Sequence, residues 1–203
     1  MENFEVYRHS ATLLHLFGVI LGVGSATITD ILFFKFVQNK HVNGKEAKLM
    51  DILSSIIWVA LLILVVSGIM LYIPSIDRLN ESGKFLTKAV ALLVLIINGI
   101  CLGYFIRPKL TKIDFSNNNV SRFGLSHLVN RKMRRWATIC GAISISSWYF
   151  IFILGGLRGV TFPVIRGLFV YAIVLAIAII GSFIFEGGAW QKLKRRIHEG
   201  HYK

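Results

Sequence analysis

Residues 11–37 read ATLLHLFGVILGVGSATITDILFFKFV, a run in which only His15, Asp30 and Lys35 can carry charge. So long an apolar stretch does not suit the half-exposed helix of a soluble domain. It exceeds the roughly 20 residues needed to cross the hydrocarbon core of a bilayer. The segment therefore predicts a transmembrane helix. It is preceded by MENFEVYRHS, with Glu2 and Glu5 where a secretory signal would carry positive charge. The apolar run is also longer than a signal peptide's central region, so it is expected to be retained as a span.

Four further runs repeat the pattern, at about Ile52 to Ile73, Phe85 to Ile106, Ala137 to Leu157 and Val164 to Phe185. Pro74, Pro108 and Pro163 fall at run boundaries, where proline costs little. Helices satisfy their backbone groups internally, as a bilayer interior requires. The expected fold is an all-α integral membrane protein, a single domain over 1–203 built as a bundle of five transmembrane helices. No internal repeat divides it, which argues against a simple inverted-repeat transporter.

The whole chain agrees with this reading. It is 55% hydrophobic and 16% charged, with a formal net charge of +13. Its mean hydropathy is +0.65. A basic excess can signal nucleic-acid binding on a soluble face. Here the lysines and arginines cluster between and after apolar runs, so no nucleic-acid partner is expected and the bilayer is the expected environment. Lys40, Lys45 and Lys48 follow the first run. Arg107, Lys109, Lys112, Arg122, Arg131, Lys132, Arg134 and Arg135 occupy the connector 107–136. Lys192, Lys194, Arg195, Arg196 and Lys203 lie in the tail. The positive-inside rule puts these three segments in the cytoplasm, with the N-terminus outside and the C-terminus inside. The expected location is a bacterial cytoplasmic membrane.

Ionisable residues within spans need partners and are the first places to look for function. His15 shares a helix stripe with Gly18, Gly22, Ser25 and Thr29. That stripe admits a flat ligand or, as a GxxxG match, a neighbouring helix. Lys88 enters the third run from the same side as His15. It can pair with that layer or extend its ammonium to the headgroups. Asp30 is 15 positions after His15, about 22 Å along the helix. It is expected near the inner interface, in an ion pair with Lys35, Arg107, Arg134 or Arg135. Trp148 shares a face with Gly141 and Ser144 and suits either core packing or a ligand. Asn98, Gly99 and Gly103 suggest a close helix contact. Cys101 and Cys140 lie in apolar runs without metal-ligand spacing. HEGH near the C-terminus is not the HExxH pattern, and no Walker, Rossmann or GxSxG sequence occurs.

LLHLFGVILGVGSATITD, LVVSGIMLYIP, KFLTKAVALLVLIINGI and RRWATICGAISISSWYFIFI together resemble a group of small bacterial membrane proteins. The group includes the HemJ-type protoporphyrinogen oxidases, the CopD-like copper-resistance domains and related uncharacterised families. The resemblance implies b-type haem held by His15 and Lys88, with Gly18, Gly22 and Trp148 around it and His15 as the ligand to haem iron. It also implies membrane redox or electron-transfer chemistry as a haem-dependent oxidoreductase, with a membrane redox partner or a second copy of the chain. The fifth run and a first helix poorer in aromatics depart from the HemJ pattern, so protoporphyrinogen oxidation itself does not carry over. A metal-ion transporter and a non-catalytic subunit of a membrane complex are the competing expectations.

Overall fold

A computed structural model describes residues 2–39, 44–106, 124–157 and 159–186. Helix α1 spans Glu2–Asn39 and α2 spans Gly44–Tyr72. A 3₁₀ turn at Ile73–Ser75 places Pro74 in its first positions and leads into the short α3, Ile76–Asn80. Helix α4 covers Gly83–Ile100 and continues as a π-helical turn, Cys101–Ile106. Helices α5, Gly124–Gly156, and α6, Val164–Glu186, complete the order.

Five of these helices are long and apolar enough to cross a membrane, at Glu5–Leu32, Lys48–Ser75, Gly83–Tyr104, Arg135–Gly156 and Val164–Ile184. They match the five apolar runs to within a few residues, except that the first span sits about five residues earlier. No strand occurs among the described residues. One expected boundary needs correction. Residues 107–136 are not all connector, because α5 begins at Gly124. GLSHLVNRKMRRW has neither proline nor an internal glycine, and its leucines, arginines and lysine are good helix formers. Its basic charge does not break the helix. Pro108 and most of that connector lie outside the described residues.

Neighbouring chain directions follow from a few contacts. The Tyr7 hydroxyl donates to the Met70 carbonyl at 3.3 Å, so α1 and α2 run antiparallel. The Lys84 ammonium donates to the Leu157 carbonyl, joining the start of α4 to the end of α5. The start of α4 also lies against the chain entering α6. A Cβ on Gly83 would sit 2.1 Å from the Phe162 carbonyl oxygen, so this seam requires glycine. Helix α1 packs on α2 and α5, and α4 packs on α5 and α6.

The core is narrow. Ala26, Leu61, Leu64, Leu95 and Trp148 form its buried cluster. Large apolar residues such as Ile20, Ile31, Leu62, Ile165 and Ile177 face outward. An outer face of this kind suits hydrocarbon, and internal contacts must then come from shape and hydrogen bonds. Helix α6 accordingly docks through small residues and a polar pair. Gly167 meets Thr87, and the Tyr171 and Ser147 hydroxyls share a 2.8 Å hydrogen bond.

Candidate functional site

The polar residues of the bundle fall into two layers along α1. The first surrounds His15. Its Nδ1 lies 3.0 Å from the Ser67 hydroxyl on α2. That hydroxyl donates to the Ile63 carbonyl at 2.6 Å, which uses its single proton. With that proton so placed, neutral His15 donates through Nδ1–H and keeps the lone pair on Nε2. Lys88 on α4 is within electrostatic reach of the ring, and Lys84 lies one turn before it.

The small-residue stripe beneath His15 is engaged in packing. A Cβ at Gly18 would contact Ile63 and Leu64 of α2 at 3.0–3.3 Å. At Gly22 it would fall 2.2 Å from the Trp148 ring. The indole of α5 therefore lies directly on the backbone of α1. The slot a flat ligand would use at these glycines is filled by protein, while Nε2 of His15 remains available as a ligand or base.

The second layer is a cavity of about 90 Å³ between α1, α2, α4 and α5. Asp30, Thr29, Ser54, Asn98, Ser144 and Trp148 supply its polar lining. Glycines make room for it. Asp30 Oδ1 approaches to 3.0 Å from where a Gly141 Cβ would be, and the Trp58 ring rests on Gly99. Asn98 is oriented by donating from Nδ2 to the Cys140 carbonyl at 2.9 Å. Thr29 is committed to the Ser25 carbonyl at 2.7 Å.

Among the described residues, two buried polar atoms have no hydrogen-bond partner: Asp30 Oδ2 and Trp148 Nε1. Asp30 is only 6% exposed and Trp148 only 1%. The partners expected for Asp30 in an interfacial ion pair are Lys35, Arg107, Arg134 and Arg135. The Asp30 side chain is enclosed by the bundle. The side chains of Lys35, Arg107 and Arg134 lie outside the described residues. Leaving such groups unpaired is costly. A neutral buried donor forfeits about 1–3 kcal/mol and a charged group more. An acceptor and a donor orphaned beside one cavity are thus its distinguishing chemistry.

Sequence reasoning found His15, Lys88, Asp30 and Trp148 but missed Ser67 and Ser54. Their signal was a hydroxyl within an otherwise apolar run of α2, and serine commonly bonds its own helix backbone there. No group of three or more His, Cys, Asp or Glu side chains occurs among the described residues. Cys101 and Cys140 are free.

No protein-family model matches this chain, and neither a curated protein nor a solved structure matches it. Its function must be argued from its own residues.

Proposed function

We propose that the chain is a multi-pass membrane protein that moves a small monovalent cation through the bundle by way of Asp30. The observation that carries this reading is the unpartnered carboxylate oxygen beside the cavity. A buried carboxylate without a partner is strongly disfavoured, and it is relieved by taking up a positive charge. Within a membrane such a residue marks an ion pathway. The lining offers oxygen donors and no histidine, cysteine or methionine, a set poorly suited to copper or another thiophilic metal. In the orientation given by the basic segments, His15 and Lys88 guard the outer side and Asp30 the cytoplasmic side of the same helix.

The test is purified protein in vesicles under an imposed membrane potential, with protons, Na⁺ and K⁺ offered in turn. One of these cations should enter faster than into protein-free vesicles, and Asp30→Asn should abolish that excess. No excess with any of the three, or equal flux in Asp30→Asn, would overturn the reading.

A second reading has its own observation. Nε2 of His15 keeps its lone pair, and imidazole is a good axial ligand for haem iron. Together with the resemblance to HemJ-type and CopD-like proteins, this supports b-type haem and membrane electron transfer, with Lys88 beside the ligand. Bound haem would supply one-electron chemistry, and Ser67 would fix the ring's orientation. Gly18, Gly22 and Trp148 are committed to packing, so His15 alone of the expected set has a free coordinating atom in that layer besides the Lys88 amine. Protein purified from haem-replete cells should then show a Soret band that His15→Ala removes; a colourless preparation eliminates this reading.

A further inference from the structure

The cavity beside Asp30 has more specific chemistry than a general cation site. Asp30 Oδ2 needs a donor, and Trp148 Nε1–H needs an acceptor. A bare metal cation can satisfy the first and is repelled by the second, since the indole N–H presents its positive end. Water carries a donor for the first and a lone pair for the second. The volume of about 90 Å³ is well above the roughly 10–15 Å³ that a single water needs. Asn98, Ser54 and Ser144 add polar groups to a lining that is otherwise mostly apolar.

We propose that this cavity is a hydrated proton site, in which water accepts from Trp148 and donates to Asp30, and Asp30 is the group that takes up the proton. The balance is simple. Hydronium gives its proton to the carboxylate, leaving neutral water and a neutral carboxylic acid, and release reverses the step. Among the described residues, Asp30 is the one carboxylate, imidazole, thiol or basic group lining the cavity. Asp51 on α2, Cys101 after α4, and Arg135 and Cys140 on α5 belong to the elements packed around it, and none of them lines it. Trp148 is a positioning residue here: its six-membered ring is wedged on Gly22, which fixes where its N–H stands.

This inference shares Asp30 with the transport reading but is tested without transport. Infrared difference spectra of the lipid-reconstituted protein, recorded between alkaline and acidic buffer, should contain a carboxylic-acid C=O band that Asp30→Asn deletes. Trp148→Phe keeps an aromatic ring at this position and lacks the N–H; it should shift that band. Exchange into H₂¹⁸O should shift a water O–H band that appears with it in the unmutated protein, which keeps the test decisive should Trp148→Phe fail to fold. A carboxylate signal that responds to Na⁺ at constant pH, or no Asp30 band at all, would overturn the proposal. So would the lack of an isotope-sensitive water band. Vesicles that pass no cation while the Asp30 band is present would defeat the transport reading and leave the hydrated site standing.

Discussion

At the scale of single residues, the contact between Gly22 and Trp148 decides the shape of the bundle's middle. The indole occupies the space where any side chain at position 22 would begin, with ring carbons 2.2 and 2.3 Å from a hypothetical Cβ. Overpacking of this kind costs about 1–3 kcal/mol. Gly22→Ala should therefore lower the thermal midpoint in detergent. Adding Trp148→Phe, with its smaller ring, should recover part of the loss. Losses that merely add would mean that the two positions are not coupled as described. The hydrogen bond of His15 gives another expectation. Ser67→Ala removes the acceptor for Nδ1–H and lets the ring exchange tautomers, which histidine ¹⁵N shifts would report. Unchanged shifts would dissociate Ser67 from the tautomer.

At the scale of elements, the start of α4 is a joint where several constraints meet. Ser82 caps the helix by accepting from the Phe85 amide at 3.4 Å, Gly83 touches backbone, and Lys84 reaches the end of α5. Removing the cap with Ser82→Ala should cost about 0.5–2 kcal/mol. Gly83→Ala should cost more than that, because the carbonyl of Phe162 has no rotamer into which to move. Equal midpoints for the two variants would contradict this seam. The helices themselves were legible in sequence, since a run of 20 or so apolar residues leaves little choice of structure. Two elements were not. The first part of α5 is hidden by its charges, and the π-helical turn at Cys101–Ile106 has no periodic signal of its own. Helix faces could be drawn, and Gly141, Ser144 and Trp148 do share one. Which neighbouring face they meet depends on how each helix rotates about its axis, and apolar faces turned to hydrocarbon give no guidance. The stranded Asp30 oxygen and Trp148 N–H could not be foreseen for that reason.

At the scale of the whole molecule, the sequence supplies one more constraint through its basic segments. If each of the five long apolar helices crosses once, as the proposed reading has it, the odd number would put the two ends of the chain on opposite sides. Epitope tags at either end should respond oppositely to protease added to sealed, right-side-out membranes, with the N-terminal tag cleaved and the C-terminal tag protected. Matching behaviour at both ends would rule out five crossings.

The passage from α5 to α6 carries a different consequence. Gly159, with φ +75°, and Val160 and Thr161 are exposed, while Phe162 lies against the start of α4. Tyr171 holds the following helix to Ser147 from the other side of this bend. Affinity between the two parts therefore resides in the docked surfaces more than in the peptide bonds that join them. A gene divided at this bend should yield two polypeptides that find each other in the membrane and copurify, and α6 would behave as a subunit that happens to be encoded in the same reading frame.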